Sequence, residues 1–147
     1  MRRPTFVAAI AALAVLATGV SATTAVAKTR HRVALTAVGA QIGPGESVYE
    51  VHGTARGALV QLFKTNADAT AGTSTSTFYD GQGTIVARQA FTLSPPDPSG
   101  IITITGTLRY ASGTGKYKGI TGKATLTGTF NTQTTVTSVK IVGTQIY

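Results

Sequence analysis

The sequence predicts an all-β domain closed as a small barrel. Three observations carry that reading: strict apolar–polar alternation in the second half of the chain, strands at short regular spacing with Gly and Pro between them, and glycines set into the apolar faces of otherwise good strands. Alternation is clearest in "IITITGTLRY", where Ile102, Ile104, Leu108 and Tyr110 share a face with Gly106. Thr103, Thr105, Thr107 and Arg109 take the other face, as period two requires of a strand with one buried and one wet side. "GKATLTGTF" repeats the pattern, with Ala124, Leu126, Gly128 and Phe130 opposite Lys123, Thr125, Thr127 and Thr129. Threonine suits the outer face because its branched side chain is already stiff. Glycine on the inner face weakens a strand unless the sheet bends sharply or a neighbour comes close. A small barrel requires both, so Gly106 and Gly128 favour a barrel over a sandwich.

The remaining strands follow in chain order. "VALTAV" from Val33 to Val38 opens the domain, and "IGPGES" separates it from the next strand. "SVYEVHGTARGALVQLF" is long enough for two strands, or for one bent at Gly53 or Gly57. "TNADATAG" from Thr65 to Gly72 reads as a loop, and Asp80-Gly81-Gln82-Gly83 as a tight hairpin turn. "GTIVARQAFTL" groups Ile85, Ala87, Phe91 and Leu93, and "SPPDPSG" after it is a rigid connection. "TVTSVKIVGTQIY" closes the chain with Val139 and Ile141 on the face of Gly143.

Ahead of the domain stands a different kind of segment. Arg2 and Arg3 precede the apolar run Phe6 to Val20, and a small-x-small end follows at Ala25-Val26-Ala27. This order marks residues 1–27 as a secretory signal peptide, cleaved between Ala27 and Lys28. The apolar run falls short of the roughly 20 residues of a membrane span, so no span is expected in the mature form. Phe6 sits one place too far along for the usual twin-arginine pattern, which favours the general secretory route. The mature protein is therefore expected to be secreted, as residues 28–32 (a basic tail) and 33–147 (one barrel domain). No cysteine is present, which removes disulfides and lipid attachment alike.

Charge narrows the partners. The formal net charge is +8, but Arg2 and Arg3 belong to the signal, and Lys28, Arg30 and Arg32 to the tail. Such a tail attracts anionic wall polymers or lipid head groups only weakly, and its ordinary role is a solvated terminus. Lys64, Arg88, Arg109 and Lys140 lie on separate segments, and only Lys116, Lys118 and Lys123 cluster, around a turn. Nucleic acid is not expected as a partner, because that chemistry needs clustered cations with interleaved aromatics.

The stretch "GTGKYKGITG", Gly113 to Gly122, has the look of a phosphate loop and fails both phosphate patterns. A dinucleotide loop would need glycine where Lys118 stands, and a P-loop would need it at Tyr117 with Ser or Thr at Ala124. Strands flank the stretch on both sides, so it is a hairpin connection.

The same residues carry a family likeness. "GTLRYASGTGKYKGITGKATLTGTF", with Gly113-Thr114-Gly115-Lys116-Tyr117 at its centre and Gly119 and Gly122 after it, resembles the signature of the dirigent and allene oxide cyclase barrel superfamily. The resemblance extends over most of Val48 to Tyr147. It implies a single eight-stranded antiparallel β-barrel with an apolar lumen, often a homotrimer, here as a secreted bacterial member. It transfers the fold and not the reaction, since no catalytic motif of those proteins can be placed residue by residue.

Polar residues sharing a face with apolar ones are candidates for the lumen: Tyr49, Gln89, Tyr110, Gln145 and Tyr147. They would hydrogen-bond a small apolar or phenolic ligand, or close the barrel ends with their hydroxyls in water. Carboxylates are few: Glu46, Glu50, Asp68, Asp80 and Asp97, of which Asp80 and Asp97 sit in turns. Glu50 and His52 share a face opposite Tyr49 and Val51, and alternation puts that face outside. His31 falls in the tail. With two histidines and no cysteine no metal site is expected, no cofactor is implied, and no residue can be assigned a catalytic role. The expected function is ligand binding in the lumen. Its rivals are an isomerase or cyclase steering a reactive substrate with Tyr110 and Glu50, and a cell-surface or matrix protein with a filled lumen.

Overall fold

A computed structural model describes residues 27–147. The expected signal peptide, apart from Ala27, lies outside the described residues. Eight strands run in chain order: β1 (Arg30–Gly43), β2 (Glu46–Gly53), β3 (Gly57–Thr65), β4 (Ala71–Tyr79), β5 (Thr84–Leu93), β6 (Ile101–Gly113), β7 (Thr121–Asn131) and β8 (Val136–Ile146). Each pairs antiparallel with the next, and β8 returns to β1, so the barrel is closed. Closure leaves no strand edge unpaired, which a cysteine-free wall of this length needs for its stability. "SVYEVHGTARGALVQLF" is thus two strands, joined where Thr54 N–H donates to the carbonyl of Ala34 at 3.0 Å.

Inward and outward faces follow the alternation. Leu108, Ala124, Leu126 and Ile141 are buried, while Arg109, Lys123, Thr125 and Lys140 face water. Gly106 and Gly128 earn their places by close approach. A Cβ on Gly128 would stand 2.2 Å from the Ser138 carbonyl oxygen, and one on Gly106 2.4 Å from that of Ala90. Bare backbone at these points lets adjacent strands roll inward and close the wall. Near the end of β6, Val86 pairs with Ser112 but Ala87 with Tyr110, leaving Ala111 as a bulge. That extra residue keeps both Tyr110 and Gly113 on the inner side.

The two ends of the barrel differ. At one end the Gly113–Gly122 connection folds inward as a 3₁₀ turn, Gly115–Tyr117, with Gly115 and Gly119 at positive φ. Tyr117 is 2 % exposed, and its hydroxyl donates to Asp80 Oδ2 across the β4–β5 turn. Tyr147 packs edge-on against it, ring centroids 5.1 Å apart, and stacks on His31 at 4.4 Å. The expected basic tail joins this plug. Arg30, His31 and Arg32 lie within β1, Thr29 and Tyr147 exchange backbone hydrogen bonds, and Lys28 Nζ donates to the Gly119 carbonyl at 3.1 Å. Pairing with β8 as far as Ile146 is what extends β1 beyond the expected start at Val33.

The opposite end is open and rimmed by four loops, three of them held by their own side-chain bonds and the β1–β2 turn held by the Gly45 carbonyl accepting from Phe63 N–H. Asp97 Oδ1 accepts from the Ser99 hydroxyl and from the backbone N–H of Ser99 and Ile101. These bonds, the Ser99 hydroxyl foremost, hold its carboxyl below the usual range. Asn66 Oδ1 accepts from Thr70 and Ala71 N–H, and Asn131 Oδ1 from Gln133 and Thr134 N–H.

Candidate functional site

Beneath the open rim lies a cavity of about 240 Å³. That is room for roughly eight waters at about 30 Å³ each, below the drug-sized range of about 300–1,000 Å³. Its apolar wall comes from Phe63, Phe91, Leu93, Ile102, Ile104, Leu126, Phe130 and Val139. Each is an inward residue of its strand, Leu126 at the middle of β7 forming the floor, so the alternation that buries the core also lines the pocket.

A polar strip crosses this wall. Tyr49 hydroxyl donates to Gln61 Oε1 at 2.8 Å, and Gln61 Nε2 donates to Ser74 Oγ at 2.8 Å and Gln89 Oε1 at 3.1 Å. Ser74 Oγ also donates to Gln89 Oε1 at 3.2 Å, and Gln89 Nε2 donates to Ser76 Oγ at 2.7 Å. The strip spans β2 to β5 and runs in one direction. Gln89 Nε2 carries two hydrogens, and Ser76 takes one of them. Burial pushes the Tyr49 hydroxyl above its ordinary pKa, against the opposing influence of hydrogen bonds from Ser47 and Thr137, so it keeps its proton near neutral pH. Among the described residues no carboxylate, histidine, lysine or arginine lines the cavity.

The residues expected in the lumen divide between the ends. Tyr49 and Gln89 line the open cavity. Tyr110 and Gln145 line a separate space of about 40 Å³ near the plug. Burial there pushes the Tyr110 hydroxyl up to about 12. Tyr147 lines neither space and belongs to the plug. Alternation gives the inward face for all five, Tyr147 included since it packs on buried Tyr117, but strand direction decides the end, and β6 and β8 finish at the plug. Glu50 lies outside the barrel, paired to His52 at 3.1 Å with its side chain 75 % exposed, so it offers nothing to a substrate in the lumen. The cyclase reading loses that residue.

Sequence reasoning missed Gln61, Ser74 and Ser76, together with Ser47 and Thr137. Gln61 sits between Leu59 and Phe63 on one face, the same signal that picks out Gln89. In "GTSTSTFY" both faces are polar, so alternation alone could not tell the inner serines from the outer threonines.

The chain matches no family model, no curated protein and no solved structure.

Proposed function

We propose that the protein is an exported binding barrel. Its open lumen takes one small, mostly apolar molecule bearing a single polar group, such as a phenol hydroxyl or a carbonyl. The observation that carries this reading is the largely apolar cavity whose polar lining is uncharged among the described residues: the Tyr49–Gln61–Gln89 strip, with Gln41, Ser47, Thr65 and Thr137 beside it. A pocket of this kind binds by burial and orients by one or two hydrogen bonds. The second hydrogen on Gln89 Nε2 is the donor such a group would meet. Binding is preferred to substrate steering because the wall offers no charged group, and its one ionisable side chain, Tyr49, stays protonated. The reading agrees with the resemblance of Gly113–Phe130 to the dirigent and allene oxide cyclase turn. Cleavage after Ala27 would leave Lys28 and Thr29 with their bonds to the plug intact.

The test is a titration with 1-naphthol followed by its fluorescence. Saturable one-to-one binding is expected, weakened about tenfold by Gln89→Leu through the loss of a hydrogen bond worth about 1 kcal/mol or more. Absence of binding up to the solubility limit, or equal affinity in Gln89→Leu, would overturn the reading.

A further inference from the structure

The outer wall carries a feature that the lumen does not use. Register sets Arg88 of β5 opposite Arg109 of β6, and Arg109 opposite Lys123 of β7. Lys123 faces Thr144 of β8, and Thr144 faces Arg32 of β1. All four cationic residues are exposed. They form one row across five neighbouring strands, with about 4.8 Å per strand step and about 19 Å along the curved wall of the closed barrel. Lys140 and Arg30 add positive charge on the same wall.

Nothing on that wall offsets them. β5, β6, β7, β8 and β1 contain no Asp or Glu, and Glu50, in contact with His52 at 3.1 Å, lies on β2. Like charges directly opposite one another weaken a sheet, and here two such pairs follow in succession. A wall selected only for stability and solubility would intersperse both signs.

We propose that this row is a docking strip for a linear anionic polysaccharide. Three cations on successive strands, with a fourth one strand beyond Thr144, suit an extended polymer carrying repeated acidic groups, and the arginines can hold carboxylate or sulfate in bidentate fashion. Thr107 and Thr125 stand beside Arg109 and Lys123 on the outward positions of β6 and β7, where their hydroxyls meet sugar hydroxyls. Nucleic acid fits less well, because no aromatic side chain stands on the outward positions of these strands to stack a base. The strip is independent of the lumen and does not rest on what the lumen binds.

The test is fluorescence anisotropy of labelled polygalacturonate with the full chain, across a salt series. Saturable binding that weakens with salt is expected, and Arg109→Glu should weaken it about tenfold or more and flatten the salt slope. Lys64→Glu makes the same negative-going change on the outer face of β3, off the row, and should stay within about twofold of the parent. Melting curves check that both variants are folded, and Arg88→Glu replaces Arg109→Glu if the latter is not. The proposal is overturned by absence of binding at low salt or by equal losses in the on-row and off-row variants. Tighter binding to single-stranded DNA, or to phosphatidylserine vesicles, than to polygalacturonate would overturn it as well.

Discussion

Gln61 is the residue on which the inner polar strip turns. It accepts from Tyr49 and donates to Ser74 and Gln89, so three side chains lose a partner if it goes. Gln61→Leu keeps the volume and removes the bonds, and is expected to destabilise the protein by about 1–3 kcal/mol because buried partners are left unmet. Urea unfolding measures this. A loss below a few tenths of a kcal/mol would mean that water replaces the amide. Tyr110 gives a pH prediction at the same scale. Its pKa is raised by burial to about 12, against an ordinary value near 10. Below pH 10 both states hold the proton and the contribution to stability is complete. Between pH 10 and 12 only the unfolded state releases it, so stability falls across that window by up to about 1.4 kcal/mol per pH unit. Tyr110→Phe should make the fall shallower, read as urea midpoints at successive pH values.

At the scale of elements, β7 and the Ile101–Tyr110 part of β6 were legible, because each has one apolar and one threonine face and period two sorts them, while the bulge at Ala111 that carries β6 on to Gly113 was not. Their glycines were legible for the right reason, close approach at a bending wall. That account predicts the sign of Gly128→Ala. Alanine gains about 0.5–1 kcal/mol in a strand from lower chain entropy. The Cβ would meet backbone 2.2 Å away, and backbone cannot swing aside. Overpacking of about 1–3 kcal/mol wins, so the variant is expected to melt lower. A higher melting temperature would mean that the wall is slack at β7–β8. The hairpin between these strands was legible as a turn, but its inward fold was not. Tyr117 finds Asp80 from a position 37 residues away, across a contact made when β5–β6 pairing sets the β6–β7 connection against the β4–β5 turn. Tyr117→Ala is expected to cost about 3–5 kcal/mol, because it empties a fully buried aromatic site at the plug. Chemical denaturation measures it, and a cost below about 1 kcal/mol would show that the plug does not hold this end.

For the whole molecule, what escaped the sequence was everything that depends on which strand lies beside which. Arg32, Arg88, Arg109 and Lys123 look scattered along the chain, and register makes them a row. Arg30 to Arg32 look like a tail, and pairing with β8 makes them wall. The division of the lumen into a plugged end and an open end follows from the same cause. Odd and even positions say which side chains point inward, but only strand direction says that Tyr49 and Gln89 meet at the mouth while Tyr110 and Gln145 meet at the plug. The central claim is that the mouth holds a small molecule. Native mass spectrometry of the protein recovered from its natural source tests it most directly, beside an Ile104→Trp variant that fills the cavity. The account predicts a discrete extra mass on the parent chain that the filled variant lacks. A bare parent chain, or the same extra mass on both, would contradict it.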